Sequence, residues 1–202
     1  MSALLLKDFI CLKRQAKTLL VFFVMYIILF VTMQNFNFLY AMVIILATTL
    51  VMNTYAYDEN AKWDTYALSL PITKQQIVLS KYLLSILLAC GGVLICVVIS
   101  LIKKQTNLEN WLTIYALFGV AIFIISFLLP LLYKFGSQKA RILVICIILV
   151  PTFGALALSQ LGLSAPSEST IKLLVTLSPF VLAAIFLGSY FISCKIVDNK
   201  ES

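Results

Sequence analysis

The sequence predicts an all-α, polytopic membrane protein with six transmembrane helices, preceded by an amphipathic helix at the membrane surface. Of its 202 residues, 62% are hydrophobic and 11% are charged, against about 25% charged residues in an ordinary soluble domain. The apolar residues form long uncharged runs, and most Lys and Arg residues lie at or beyond the ends of those runs. Only a bilayer can accommodate so much apolar surface, so soluble enzymes are excluded.

Six apolar segments approach or exceed the length of about 20 residues that a helix needs to cross a bilayer. The whole chain, 1–202, is predicted to form one transmembrane domain. Pro130, Pro151 and Pro179 lie within or near the last three segments and predict kinks or breaks there. None of the segments contains Asp, Glu, Lys or Arg, which argues against ion-coupled carriers and intramembrane hydrolases. The predicted spans are 18–36, 38–57, 82–102, 111–133, 142–163 and 173–194.

The basic residues predict the orientation, because Lys and Arg accumulate on the cytoplasmic side of membrane proteins. Twelve of the 15 lie on the same side as the N-terminus, so both termini are predicted in the cytoplasm and the protein in the cell membrane. The net charge of +7 therefore reflects topology and not nucleic-acid binding. The twelve are Lys7, Lys13, Arg14, Lys17, Lys62, Lys74, Lys81, Lys134, Lys139, Arg141, Lys195 and Lys200, and the other three are Lys103, Lys104 and Lys172.

The residue types needed for most catalytic and metal sites are missing. The chain has no histidine, its five cysteines show no C-x-x-C spacing, and it has no nucleotide-binding P-loop motif. We therefore predict no catalytic residues, no metal site and no cofactor bound by the chain itself. The cysteines are Cys11, Cys90, Cys96, Cys146 and Cys194.

The N-terminal segment 2–17 mixes apolar residues with basic ones and predicts a helix of about four turns in the plane of the lipid headgroups. The alternative is a charged flank that only orients the first span. The residues that we assign to the membrane surface are Lys7, Phe9, Lys13, Arg14 and Lys17.

The longest polar connection, 58–81, is predicted on the cytoplasmic side and is called the elbow. Trp63, Ala67 and Leu70 follow at i, i+4 and i+7, which predicts a short helix with one apolar face. Pro71 ends that helix. A tryptophan on such a face is typical of a docking surface, although interfacial tryptophans also anchor proteins in lipid headgroups.

A second helix is predicted to begin directly after the proline. Thr73 and Gln76 match the T-x-x-Q capping box and start a helix that continues into the third span. Asp58, Glu59 and Asp64 place exposed negative charge where anionic lipid would repel it. A docked protein partner explains these acids best. The alternative is a loop that packs only on its own helices.

This layout and the elbow resemble the permease subunits of ABC-2 type ATP-binding-cassette exporters, with a type V exporter-like transmembrane domain. The family pattern is an acidic stretch, a Lys-Trp pair, Leu-Pro, a basic residue, an Ile-Val pair and Lys-Tyr. The short chain is similar to exporters of amphipathic peptides, such as those of phenol-soluble modulins. The matching residues are Asp58 and Glu59, Lys62 and Trp63, Leu70 and Pro71, Lys74, Ile77 and Val78, and Lys81 and Tyr82.

The resemblance implies a permease subunit that moves amphipathic or antimicrobial peptides out of the cell. It implies a second permease chain, identical or different, and a separate ABC ATPase subunit that binds ATP and Mg, so the chain itself is not an enzyme. The alternative is an ATP-independent membrane immunity or assembly protein that binds a toxin or another partner. The residues to which the resemblance assigns contact with the ATPase, or the setting of the elbow, are Asp58, Glu59, Lys62, Trp63, Asp64, Leu70, Pro71, Thr73 and Lys74.

Overall fold

A computed structural model of the chain describes residues 2–14, 36–67, 71–102, 104, 107–160 and 168–199, and the separate positions 21, 24, 25 and 28. These residues are almost entirely helical, which confirms the all-α class. The first predicted span, 18–36, lies almost wholly outside them. The helical elements are α1 (Ser2–Arg14), α2 (Phe36–Asn60), α3 (Trp63–Ala67), α4 (Lys74–Ile102), α5 (Leu108–Gln160) and α6 (Glu168–Asp198).

Within the described ranges, four helices are long and apolar enough to cross a membrane. They expose large apolar side chains, including Phe180 at 75%, Phe191 at 68% and Leu94 at 64% of their full area. Contiguous exposure of this kind is costly in water but not in lipid. The chain is therefore a multi-pass membrane protein. The four candidate spans are Tyr40–Asn60, Lys74–Ile102, Leu108–Ile147 and Thr176–Asp198.

The helical element α5 is interrupted at Gly136, whose φ of 77° and ψ of 171° lie in a region that only glycine adopts readily. Its apolar part, Leu108–Ile147, has 40 residues, which would extend about 60 Å as one helix, twice the roughly 30 Å of a bilayer core. We call 108–135 the first arm and 137–160 the second arm of α5. The helix continues through Pro130, and the interruption lies instead in the connection 134–141 that the sequence predicts between the fourth and fifth spans.

The core of the bundle lies where α2, α4 and α5 meet, with side chains of α6 packed against it. A smaller buried cluster joins Tyr40, Cys96 and Ile114 from the same three elements, farther from the elbow. In lipid, close packing and not transfer out of water holds such clusters together. α4 contributes to both clusters and is central to the bundle. The main cluster includes Val51, Tyr55, Val78, Tyr82, Leu128, Leu129, Leu132 and Tyr133.

The elbow begins with a sharp turn after α2. Lys62 has a left-handed φ of 49°, and its N–H donates to the carbonyl of Glu59 at 3.1 Å. This is the arrangement that ends many helices, although glycine usually occupies the left-handed position. The short helix α3 follows at once. The chain therefore turns away from α2 within two residues.

The predicted capping box is present at the start of α4. The N–H of Gln76 donates to Thr73 Oγ1 at 3.3 Å, and the N–H of Thr73 donates to Gln76 Oε1 at 3.3 Å. The Thr73 N–H is satisfied in this way, and the Gln76 N–H donates in addition to the Thr73 carbonyl at 3.0 Å. α4 then runs from Lys74 to Ile102 without interruption, as the sequence predicts.

Candidate functional site

Four charged side chains from three helices meet where the elbow begins and ends, and they form what we call the ionic junction: Lys7 and Asp8 of α1, Asp58 of α2 and Lys81 of α4. Lys81 Nζ lies 2.8 Å from Asp8 Oδ1 and 2.6 Å from Asp58 Oδ2. Lys7 Nζ lies 2.7 Å from Asp58 Oδ1 and 3.3 Å from Asp8 Oδ1. The two positive and two negative charges balance.

Three of the four members of the ionic junction are buried, and the side chain of the fourth, Lys7, is 22% exposed. Asp8 is 1%, Lys81 3% and Asp58 8% exposed. Asp8 Oδ2 has no hydrogen-bond partner within the described part of the chain, so the carboxylate is only half satisfied. Buried ion pairs add little net stability, but losing one partner leaves a costly unpaired charge. The junction therefore fixes the position at which α1 sits on α2 and α4.

The two faces of α1 explain why an acid lies inside. Leu4, Asp8 and Leu12, at i, i+4 and i+8, are buried against the bundle. Leu6 and Ile10 on other sides of the helix are 62% and 61% exposed. A helix in water would expose Asp8 and bury Leu6 and Ile10 instead. An exposed apolar face is instead what contact with lipid requires.

Trp63 of the elbow is partly buried and packs against α1. Lys7 Nζ lies 4.2 Å from the centroid of the Trp63 ring, which is a cation–π contact. The ring of Tyr66 lies 5.5 Å from that of Trp63 and is 60% exposed. Tyr66, not Trp63, is thus the more exposed aromatic side chain of α3.

Glu59, next to Asp58, binds a different helix. Its Oε2 accepts a hydrogen bond of 2.8 Å from the N–H of Ser137, the first residue of the second arm of α5. A carboxylate is favoured there because the first N–H groups of a helix carry partial positive charge. A Cβ added to Gly136 would lie 2.5 Å from Glu59 Oε1. The missing side chain at Gly136 therefore leaves the space that the Glu59 carboxylate occupies.

The second half of the elbow contacts α6. Lys74 Nζ donates to the carbonyl of Val197 at 3.4 Å, near the C-terminal end of that helix. Lysine is favoured there because the last carbonyls of a helix have no partner within it. The elbow thus makes polar contacts with α1, α5 and α6, besides leading directly into α4.

Four hydroxyl-bearing residues of α4, α5 and α6 form a second polar cluster, the hydroxyl junction, consisting of Tyr82, Ser126, Ser189 and Ser193. The Tyr82 hydroxyl lies 2.6 Å from Ser189 Oγ and 2.9 Å from Ser193 Oγ. Ser189 Oγ donates to the carbonyl oxygen of Ser126 at 2.5 Å. All four residues are buried. Such hydrogen bonds between spans are a common way to satisfy polar groups within a membrane.

Comparison with known proteins identifies the family. Residues 3–198 match the family model described as ABC-2 family transporter protein. The chain belongs to this family. It is a membrane permease component of an ABC transporter. No curated protein and no solved structure gives a significant match to the chain.

One of the predicted exposures in this ABC-2 permease is wrong. Asp58, expected as an exposed acid, is buried, because Lys7 and Lys81 compensate its charge. Lys7, expected at the lipid headgroups, is partly buried and directs its ammonium group at Asp58, and its contact with a membrane stays a prediction. Phe9 and Lys13 are exposed, as surface contacts with lipid require. Their contact with a membrane stays a prediction, and Lys17 and the side chain of Arg14 lie outside the described residues.

The other residues assigned to ATPase contact divide into three groups. Lys62, Pro71 and Thr73 of the permease are exposed on the elbow. Glu59, Trp63 and Lys74 contact other helices of the chain, as described above. Leu70 and the side chain of Asp64 lie outside the described residues. The contact of all these residues with an ATPase stays a prediction.

Sequence reasoning missed four residues of this site in the permease. Asp8 and Lys81 were not assigned roles in a site, although the Leu4–Asp8–Leu12 spacing gives a signal for an inward acid. No sequence pattern pointed to a role for Tyr66 or Ser137. Within the described ranges, no group of three or more His, Cys, Asp or Glu residues could hold a metal ion.

An apolar groove of about 580 Å³ lies between the first arm of α5 and α6 of the permease. Its walls include Leu112, Phe123 and Leu182. Tyr115 and Ser178 also line it, and their hydroxyls lie 2.6 Å apart. Because these two hydroxyls pair with each other, the groove presents a largely apolar lining.

Proposed function

We propose that the chain is the transmembrane permease subunit of an ATP-driven ABC exporter, and that a separate ATPase subunit hydrolyses ATP and binds at the elbow. The observation that carries this proposal is the set of contacts made by the elbow. Asp58 pairs with α1 and α4, Glu59 bonds to α5, and Lys74 bonds to α6. A displacement of the elbow by an ATPase would therefore act on four helices at once.

The proposed topology has six spans with both termini in the cytoplasm. Twelve of the 15 Lys and Arg residues then lie inside, in agreement with the positive-inside rule. The break at Gly136 supports the count of six spans. It divides α5, whose apolar part is about twice as long as one crossing requires, into two arms. The elbow then faces the cytoplasm, where an ATPase resides.

The proposed docking surface is the outward side of the elbow. Lys62, Tyr66 and Pro71 are exposed there, and they combine a positive charge, a large aromatic ring and an apolar ring. Aromatic residues surrounded by polar groups are the usual centres of protein interfaces. Trp63 contributes indirectly, since it lies under Lys7 of the ionic junction.

We further propose that two permease chains form the pathway and that the substrate is an amphipathic peptide. The large apolar side chains exposed along α6, such as Phe180 and Phe191, leave area for a second chain or for lipid. The groove between α5 and α6 would accept the apolar face of such a peptide from within the membrane. The absence of a P-loop motif supports the assignment of ATP hydrolysis to a partner.

The test is capture of an ABC ATPase by the detergent-solubilised chain. We expect the wild-type chain to bind it, and Tyr66→Ala to lose about 2 kcal/mol of binding free energy, or roughly 30-fold in affinity. Trp111→Ala is the matched control, because Trp111 is a partly exposed aromatic residue at the far end of the first arm of α5. It should leave the affinity unchanged.

Two outcomes would contradict the proposal. In the first, the purified chain hydrolyses ATP with no second polypeptide present. In the second, the wild-type chain folds and melts cooperatively but captures no P-loop ATPase from its own cells. The second outcome would favour the ATP-independent immunity or assembly protein instead.

A further inference from the structure

Two consecutive residues of α4 contact different parts of the molecule. Successive side chains on an α-helix are about 100° apart around its axis. Lys81 points into the ionic junction, and Tyr82 points into the hydroxyl junction. Both are buried, at 3% and 2% exposure. One turn of one helix therefore takes part in both polar clusters.

On the first side, Lys81 is the only residue of the ionic junction that α4 supplies. It pairs with Asp8 of α1 at 2.8 Å and with Asp58 of α2 at 2.6 Å. If α4 moved away from both carboxylates, Lys81 would be left unpaired in a buried place, and Asp8 and Asp58 would keep only Lys7. α1 and the start of the elbow are thus bound to this turn of α4.

On the second side, the hydrogen bonds have a defined direction. The single hydrogen of the Ser189 hydroxyl goes to the Ser126 carbonyl oxygen, which lies 2.5 Å away. Tyr82 must then donate to Ser189, and Ser193 must donate to Tyr82. Each hydroxyl donates once, so removing the Tyr82 hydroxyl interrupts this series of hydrogen bonds at its centre. α5 and α6 are thus bound to the same turn of α4.

We propose that Lys81 and Tyr82 are positioning residues that make this turn of α4 a two-sided joint, through which a displacement of α1 or of the elbow reaches α5 and α6. The joint rests on the proposed function, since the ATPase would supply the displacement. Apolar contacts between helices can slide, whereas ion pairs and hydrogen bonds are lost when their atoms separate. α4 is continuous from Lys74 to Ile102, so this turn moves with the helix.

The native cysteines allow both sides of the joint to be observed. Cys11 lies on α1, Cys194 follows Ser193 on α6, and both are partly exposed. Cys96 is buried on α4 farther from the elbow and serves as a reference for general loosening. We would prepare three full-length chains, each retaining one of these cysteines, and measure their rates of maleimide labelling in detergent.

One junction is then changed by mutation, and the labelling rate is measured for the cysteine on the other side of the joint. Asp8→Asn should raise the labelling rate of Cys194 by at least about fivefold, and Tyr82→Phe should raise that of Cys11 by a similar factor. The double variant should label at Cys194 no faster than Tyr82→Phe alone, because the link is already interrupted. Cys96 should label at the parent rate throughout. If Asp8→Asn does not fold, the Tyr82→Phe experiment tests the same link in the other direction.

The joint is overturned if each variant changes only the cysteine on its own side, since the two junctions would then be independent. Faster labelling of Cys96 in Tyr82→Phe, in step with Cys11, would also overturn it, because the change would be a general loss of packing. The experiment uses no ATPase and no transport substrate. If the chain captures an ATPase but its two junctions are independent, the proposed function stands and the joint is wrong. If the chain captures no ATPase but its two junctions are coupled, the joint stands and the proposed function is wrong.

Discussion

The ionic junction and the hydroxyl junction hold the same turn of α4, but they use different chemistry. The ionic junction joins full charges at the two ends of the elbow, with ion-pair distances of 2.6 to 3.3 Å. The hydroxyl junction joins neutral groups among the spans, with no charged member. A buried charge needs its counter-charge, whereas a buried hydroxyl needs one neutral partner. The two junctions should therefore differ in what it costs to remove one member.

The largest effect is expected from Lys81→Met. The substitution leaves Asp8 and Asp58 in a buried place with only Lys7 to compensate them. We expect a loss of about 3–5 kcal/mol in the free energy of unfolding, measured by denaturation in mixed micelles. Lys139→Met is the matched control, because Lys139 is exposed, and it should change stability by less than about 0.5 kcal/mol. Equal losses for the two variants would mean that the ionic junction does not constrain the fold.

The next effect concerns the contact between the elbow and the break in α5. Gly136→Ala must place a Cβ in a backbone region that alanine rarely adopts, and 2.5 Å from Glu59 Oε1. We expect a loss of about 1–3 kcal/mol, which lies between the effects at the two junctions. Thermal unfolding in detergent should show it as a lower melting temperature.

Gly91→Ala is the control for Gly136→Ala. Gly91 lies within α4, and an added Cβ there would meet nothing within 4 Å. Alanine is favoured over glycine inside a helix by about 0.5–1 kcal/mol, so this variant should be neutral or more stable. If the two alanine variants behave alike, the break is not held in the conformation described here.

At the hydroxyl junction the expected effect is smaller. Tyr82→Phe keeps the ring, which packs edge-on against Phe186 and Tyr190 at 5.2 and 5.4 Å, but removes the central hydroxyl. We expect a loss of about 1 kcal/mol. Tyr40→Phe is the control, since Tyr40 is fully buried and its hydroxyl has no partner among the described residues. Removal of the Tyr40 hydroxyl should leave the free energy of unfolding unchanged or raise it. A larger loss for Tyr40→Phe would reverse the comparison.

The local features of this fold could be predicted from the sequence, whereas the ionic junction could not. Apolar runs and flanking charges predicted the all-α membrane class, and the T-x-x-Q pattern predicted the cap at Thr73, because these signals are local. The ionic junction could not be predicted by spacing. Asp8 and Lys81 are 73 positions apart, and only the packing of α1 on α4 brings them together. Asp58 was expected to be exposed for the same reason, since its partners are not its neighbours in the chain.

The smallest effect should come from the polar contact outside both junctions. The hydrogen bonds of Thr73 at the start of α4 are 3.3 Å long and exposed, so water can replace them. We expect Thr73→Ala to cost about 0.5 kcal/mol, at the low end for a lost helix cap. Thr73→Ser retains the hydroxyl and should match the parent in the same thermal melt. A loss from Thr73→Ala as large as that from Lys81→Met would show that exposure does not weaken polar contacts in this protein. The distinction between the buried junctions and the exposed cap at Thr73 would then have no energetic basis.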